Sequence, residues 1–266
     1  MQQNRVKRIM REGGLAIVSH VGFADPAVIE IIAMAGFDGA FIDMEHTVFD
    51  LQLVGEMIRV AELTGITPIV RVPDNDAKLI LRVLDAGAQG IQVPHIEGLE
   101  GAKQAVHAVR YPPLGHRGGA GTTRAAGYGS VPWNTHMQSS NDEILLTVMT
   151  EDLRGIADIE AIAALDGVDL ISLGPTDLST ALGITDPTDP RLRQKVEELV
   201  AQVNRIGKAK VYLPVYHAAF YLTPQELVRM GVNYTSVAPP PPTIVLHALR
   251  ESAQHIREQA KQKASV

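Results

Sequence analysis

Two acidic residues each follow a short apolar run in the middle of the chain. Glu151 comes after the run LLTVM, and Asp177 comes after the run VDLISL. Between these runs, the segment RGIADIEAIAALDG carries apolar residues at helical spacing and stops at Gly167. Because a helix connects them, the two runs are predicted to be parallel strands with both carboxylates at the same end. Such a pair could bind a hard divalent cation.

Other ionisable residues occupy the same position on neighbouring apolar runs. They are Asp43, Glu45 and His46 on one run, Arg71 on the next and His95 on the one after it. A single carboxylate at a strand end is more often a helix cap or a surface acid, and a lone histidine is more often packed or solvated. An arginine within IVRVP, by contrast, is flanked by apolar strand residues and needs an anionic partner when buried. The grouping as a whole favours a functional site.

These residue types indicate chemistry on a small keto acid. Carboxylate ligands without cysteine suit Mg²⁺ or Mn²⁺ best, with Co²⁺ or Zn²⁺ as further candidates. A 2-oxo acid chelates such an ion well, and Arg71 could hold the negative charge that develops on the substrate as an enolate forms. His46, oriented by an acid such as Asp43 or Asp85, could move the proton.

The elements that must position these residues alternate between strand and helix along the chain. Strands are predicted at 15–21, 39–46, 67–73, 90–96, 145–149, 168–173, 209–216 and 233–238. Helices are predicted at 26–36, 51–65, 76–88, 98–110, 154–167, 192–206, 224–230 and 243–259. Eight strand–helix units in 266 residues predict one (β/α)₈ barrel domain spanning 1–266, with an open doubly wound sheet as the alternative. In such barrels chemistry takes place at the C-terminal strand ends.

Two segments are longer than a minimal barrel requires. The loop from Tyr111 to Asn141 is rich in Gly, Ser and Thr, which favours a functional role. The last helix is long, and its apolar face could pack against another subunit.

The composition excludes several classes of function. The absence of cysteine rules out disulfides, thiolate zinc sites and cysteine nucleophiles. A net charge of −6 argues against nucleic acid as the main partner. No apolar run reaches the roughly 18 residues of a membrane span, and no apolar signal-peptide core follows the basic N-terminus, so a cytoplasmic protein is expected.

Taken in order, the motifs resemble those of the HpcH/HpaI aldolases, which are metal-dependent (class II) pyruvate aldolases. The segments that carry the resemblance lie within about residues 15–183 and are FIDMEH, PIVRVP, LDAGAQGIQVPHIE, YPPLGHRGG, RAAGYG, a glutamate followed by DLRG, and GVDLISLGPTDLSTALG. Each motif is modest alone, and their order is specific.

The resemblance implies a (β/α)₈ barrel that assembles as a trimer or hexamer and exchanges its final helix between partners. It implies a metal held by Glu151 and Asp177, and pyruvate bound by Arg71. It further implies that His46 takes part in proton transfer, and that Asp85, from the same or a neighbouring subunit, pairs with it. Two more implied roles are Asp43 near the arginine and the backbone of Gly174, Pro175 and Thr176 at the substrate carboxylate.

The chain departs from this family pattern at two places. Relatives usually carry glutamine two residues before the metal-binding glutamate, whereas this chain has Met149, which is a poor hydrogen-bonding group. Near the eighth strand, Pro239 to Pro242 replace a glycine-containing turn and predict a rigid extended segment. Together with the aromatic seventh strand and His217 beside it, these departures predict a reshaped acceptor pocket.

The expected function is therefore a carbon–carbon lyase that forms or cleaves a hydroxy-2-oxo acid from a pyruvate-type enolate and an aldehyde. Oxaloacetate decarboxylation, as in an enzyme similar to macrophomate synthase, would use the same enolate and is the main alternative. A barrel that binds a small acid without catalysis is a further alternative, against which the retained Glu151, Asp177, Arg71 and His46 argue.

Overall fold

Eight parallel strands form a closed barrel in which each strand pairs with its neighbours in the chain and the last returns to the first. The structure is a computed structural model that describes residues 2–150, 152–184, 186 and 189–263. The strands are β1 (Ala16–His20), β2 (Gly39–Asp43), β3 (Thr67–Arg71), β4 (Gly90–Val93), β5 (Leu145–Met149), β6 (Leu170–Ser172), β7 (Lys210–Tyr212) and β8 (Tyr234–Ser236). The predicted (β/α)₈ barrel is confirmed, and the open sheet is excluded.

Helices surround this barrel and complete the strand–helix units. They are α1 (Arg5–Arg11), α2 (Ala27–Met34), α3 (Leu51–Leu63), α4 (Ala77–Asp85), α5 (Gly98–Val109), α6 (Trp133–Glu143), α7 (Leu153–Ala157), α8 (Ile159–Ala163), α9 (Pro175–Ala181), α10 (Pro190–Ile206), α11 (Pro224–Arg229) and α12 (Pro241–Lys263). Within the described ranges, none of these helices is both long and apolar enough to cross a bilayer.

The strands are apolar on both faces because the barrel interior and the helix layer cover them. Every second side chain along a strand faces the barrel axis, and such side chains, for example Val18, Phe41 and Ile69, form a small interior cluster. Residues at the intervening positions, such as Ile42 and Val70, pack outward in the larger core beneath the helices. This alternation decides which residues near the strand ends face the barrel axis.

Helix α1 closes the N-terminal end of the barrel. Val6 packs into the interior cluster, and the Asn4 side-chain amide donates hydrogen bonds to the carbonyl oxygens of Gln89 and Glu143, both at 2.9 Å. Lys7 forms an ion pair with Asp169 at 2.8 Å. A substrate therefore has to enter from the C-terminal end, where the predicted site residues lie.

Several predicted elements differ from the structure. The strand predicted at 209–216 is confined to Lys210–Tyr212, and α6 begins within the predicted loop from Tyr111 to Asn141. The helix expected at 154–167 is two short helices, because the backbone of Asp158 leaves helical geometry and its carboxylate accepts from the Leu99 N–H at the start of α5, at 2.9 Å. The prediction of an extended tetra-proline segment is wrong for its second half, because Pro241 begins α12. Proline suits a first helical turn because the N–H that it lacks has no helical partner there.

Candidate active site

A cavity of about 320 Å³ opens at the C-terminal end of the barrel. The predicted site residues that line it are His46, Arg71, Gly174, Pro175, Thr176 and Asp177. They come from the ends of β2, β3 and β6 and from the first turn of α9. The structure thus brings together residues that are more than a hundred positions apart in the chain.

Arg71 and Asp43 form a bidentate ion pair beside this cavity. They sit opposite each other in the register of β2 and β3, and Arg71 donates from Nε to Asp43 Oδ1 at 2.9 Å and from Nη2 to Oδ2 at 2.5 Å. Burial opposes ionisation of Asp43, but the hydrogen bonds and the charge of Arg71 lower its pKa below the usual value. The anionic partner that a buried Arg71 requires is therefore Asp43.

Glu45 holds the third nitrogen of the same guanidinium. Its Oε2 lies 3.0 Å from Arg71 Nη1, and its Oε1 lies 2.9 Å from His95 Nε2. His95 has a φ of 53°, a left-handed conformation that is uncommon outside glycine and that often marks functional loops. Of the five N–H groups of Arg71, a second one on each Nη atom stays available for a substrate.

His46 lies at the mouth of the cavity with 68% of its side chain exposed. The oxygens of Asp43 are occupied by Arg71 and by backbone N–H groups, including that of His46, so its role in orienting the imidazole stays a prediction. The imidazole Nε2 lies 3.7 Å from Glu45 Oε2 instead. Among the described residues, Glu45 is thus the carboxylate that faces this histidine.

Asp85 does not line the cavity of its own chain. It is the last residue of α4, and its Oδ1 accepts from Arg117 Nη2 at 2.8 Å. The structure therefore does not bring Asp85 and His46 together within one chain. Pairing between them stays a prediction that depends on a second subunit.

One of the two expected metal ligands can be placed. Asp177 lines the cavity, and among the described residues no hydrogen bond or ion pair engages its carboxylate. Glu151 lies outside the described residues, and no cluster of three or more potential ligands occurs within the described ranges. The groups present fit a hard cation, since Asp43 and Glu45 already hold the charge of Arg71, Asp177 lines the same cavity, and an anionic substrate would need further positive charge.

The strands contribute further lining residues that were not predicted, namely His20, Gln92, Ser172 and Ser236. Met149 and Tyr212, which belong to the departures from the family pattern, line the cavity as well. Each faces the barrel axis by strand alternation near its C-terminal end. A polar residue at an inward position of an otherwise apolar strand was the available signal.

Gln92 lies directly beside the unusual Met149. Its amide Nε2 is 2.8 Å from the Met149 sulfur, and its side chain is almost fully buried. A thioether is a weak acceptor, so the carboxamide keeps most of its hydrogen-bonding capacity. Strand β4 therefore places an amide beside the methionine that β5 contributes to the cavity.

Comparison with known proteins agrees with this geometry. The family model of HpcH/HpaI aldolase/citrate lyase matches residues 17–238. A hydroxypyruvate/pyruvate aldolase of Pseudomonas aeruginosa is 34% identical over 253 residues, which cover 94% of this chain and 91% of the relative. A 2-keto-3-deoxy-L-rhamnonate aldolase of Klebsiella pneumoniae is 32% identical over 236 residues, covering 88% of this chain and 86% of the relative.

A solved structure gives the same result. The crystal structure of an HpcH/HpaI aldolase/citrate lyase family protein from Burkholderia cenocepacia superposes with a TM-score of 0.84 at 30% identity, covering 96% of this chain and all of the other. The predicted family and the carbon–carbon lyase class are thereby confirmed. The chain belongs to the HpcH/HpaI aldolase/citrate lyase family.

Proposed function

We propose that the protein is a cytoplasmic, divalent-metal-dependent pyruvate aldolase that acts on a hydroxy-2-oxo acid. The observation that carries the proposal is the position of Arg71 and Asp177 in one cavity at the open end of the barrel. Mg²⁺ or Mn²⁺, held by Asp177 and Glu151, would supply Lewis-acid stabilisation of the enolate.

The chain's own residues divide the remaining work between binding and proton movement. Arg71 offers its remaining N–H groups to the keto acid and offsets the charge that develops on the enolate oxygen. The backbone N–H groups at the start of α9, after Gly174, have no helical partner and suit the substrate carboxylate. Pro175 and Thr176 are the first two residues of that turn. On β4, Gln92 supplies the amide group that Met149 lacks.

In the cleavage direction, the C4 hydroxyl loses its proton and the C3–C4 bond breaks. Its electron pair becomes the C2–C3 double bond of the enolate, and an aldehyde leaves. His46 takes that proton, directly or through water, and its position at the mouth of the cavity with Glu45 beside it supports this role. Protonation of C3 then gives pyruvate.

Removal of divalent metal is expected to abolish the cleavage. Excess EDTA should lower pyruvate release from a 4-hydroxy-2-oxo acid at least about 100-fold, because the loss of a Lewis acid costs several kcal/mol in the transition state. Re-addition of Mn²⁺ or Mg²⁺ should restore the rate. The measurement is a coupled pyruvate assay, with oxaloacetate turnover followed in parallel to test the decarboxylase alternative. Full activity in excess chelator would contradict the proposal.

We also propose that the protein is a homo-oligomer, a trimer or hexamer, assembled through α12. Helix α12 leaves the barrel with large apolar side chains uncovered, including Ile244, Leu249 and Ile256 at 44%, 64% and 66% exposure. At its base, an apolar groove is lined by residues of both α2 and α12, among them Ile31 and Val245. A second copy that covers both surfaces would bury this apolar area.

Charged substitutions on α12 are expected to dissociate the assembly. The variant carrying Leu249→Glu and Ile256→Glu should sediment as a monomer, whereas the wild-type protein should sediment as a trimer or hexamer. Glu258→Gln, on the exposed surface of the same helix, serves as the control and should retain the wild-type mass. A monomeric wild-type protein at micromolar concentration would contradict this assembly.

A further inference from the structure

The cavity has two halves of different electrostatic character. One half, which runs from β2 round to the start of α9 after β6, carries Arg71, with its partners Asp43 and Glu45, and Asp177. The opposite half, from β7, β8 and β1, carries hydroxyl and imidazole groups together with apolar side chains. If the charged half binds the keto acid, the other half must contact the aldehyde.

The polar centre of this second half is a pair of hydroxyl groups. The Tyr212 hydroxyl lies 2.7 Å from Ser236 Oγ, and both side chains are buried at the cavity wall. Burial raises the pKa of Tyr212, so its hydroxyl stays protonated at neutral pH. One hydrogen bond between the two hydroxyls leaves a donor proton and acceptor lone pairs for a ligand.

Two histidines add uncharged groups to the same half. His217 Nδ1 accepts from the Ala219 N–H at 3.1 Å, which assigns the ring proton to Nε2 as a donor. Burial lowers the pKa of His217. The His20 ring packs at a tilt of 50° against Phe41, and burial, reinforced by the charge of Arg71, lowers the pKa of His20 to about 4. Both rings are therefore neutral at pH 7.

The described residues of this half include no charged group that could neutralise an anion. Among the described residues that line the cavity, Arg71 is the one side chain with a permanent positive charge, and two carboxylates already hold it. A carboxylate or phosphate on the aldehyde would lose its hydration without a counter-charge. Hydroxyl groups on the aldehyde, in contrast, would find the hydroxyl pair and the imidazole N–H.

We propose that Tyr212, Ser236 and His217 form an acceptor subsite that selects small, uncharged hydroxyaldehydes over aldehydes that carry an acidic group. The inference rests on the proposed aldolase function and specifies its second substrate class. In the synthetic direction, a bond forms between C3 of the enolate and the aldehyde carbon. The carbonyl electron pair moves to the aldehyde oxygen, which takes a proton from His46, directly or through water.

The test compares acceptors at fixed pyruvate and Mn²⁺. Glycolaldehyde and glyceraldehyde represent hydroxyaldehydes, propionaldehyde lacks the hydroxyl, and succinic semialdehyde and glyceraldehyde 3-phosphate carry an acid. For the wild-type protein, kcat/KM for glyceraldehyde should exceed that for either acidic aldehyde at least about tenfold. In Tyr212→Phe and Ser236→Ala, the ratio of kcat/KM for glyceraldehyde to that for propionaldehyde should fall about five- to tenfold.

Tyr234→Phe is the matched control, because Tyr234 is a buried tyrosine that does not line the cavity. Its ring packs edge-on against Tyr212, with 4.8 Å between the ring centroids. In this variant, the ratio of kcat/KM for glyceraldehyde to that for propionaldehyde should equal the wild-type ratio. An equal or higher kcat/KM for an acidic aldehyde, or an equal loss for all acceptors in both variants, would overturn the subsite. Exchange of the pyruvate methyl protons in D₂O, measured without aldehyde, separates the two claims. No exchange in the wild type would overturn the aldolase function itself, and the subsite with it.

Discussion

Replacing Asp177 by asparagine is expected to lower kcat/KM for retro-aldol cleavage about 1000-fold. The substitution keeps the size of the side chain but removes the negative charge that attracts a dication, and a Lewis acid contributes several kcal/mol to an enolate transition state. The Mn²⁺ dissociation constant should rise in the same variant, and excess Mn²⁺ should recover part of the activity. The measurements are steady-state pyruvate release and a Mn²⁺ binding titration.

Glu100→Gln is the control for Asp177→Asn, because it removes a carboxylate that is 76% exposed on α5, away from the cavity. Its kinetics and its Mn²⁺ affinity should match those of the wild type. Unchanged activity and Mn²⁺ binding in Asp177→Asn would remove this residue from the metal site. Absence of pyruvate release from the wild-type protein would support the alternative of a barrel that binds a small acid without catalysis.

Replacing Arg71 by lysine is expected to lower kcat/KM about 100- to 1000-fold. Lysine keeps the positive charge between Asp43 and Glu45, so neither carboxylate is left buried without a partner. It cannot, however, hold Asp43 through two nitrogens and still present N–H groups to a substrate. A higher KM for the keto acid and a lower kcat should both appear in initial-rate measurements.

Arg191→Lys is the matched control, since Arg191 also pairs with an aspartate, Asp189, but is 74% exposed. Because exposed ion pairs contribute little, this variant should behave like the wild type. Thermal unfolding of both variants checks that the fold is intact. If Arg71→Lys retained kcat/KM within about threefold in a folded protein, Arg71 would not be the residue that binds the keto acid.

The charged half of the site was accessible from the sequence because simple physical rules connect its members. Arg71 within an apolar strand requires an anion, and parallel pairing of adjacent strands places Asp43 opposite it. The alternation of strands and helices predicted the barrel, and the barrel fold predicted the end at which chemistry takes place. Asp177 could be placed at that end by the same reasoning.

Other features depend on contacts between distant segments, which no local pattern reveals. The closure of the barrel by α1 through Asn4 and the contact between Gln92 and Met149 are of this kind. The hydroxyl pair of Tyr212 and Ser236 could have been suspected from strand alternation, but its hydrogen bond needs the coordinates of two strands. Asp85 is different again, since its pairing with His46 would need a second copy of the chain.

Anomalous diffraction from crystals grown with Mn²⁺ and a pyruvate analogue tests the central claim most directly. That claim is that a divalent cation bound by Asp177 and Glu151 activates a keto acid held by Arg71. The account predicts one strong manganese peak within coordination distance of both carboxylates, and its loss or weakening in crystals of Asp177→Asn. A wild-type map with no manganese peak near Asp177 would contradict it.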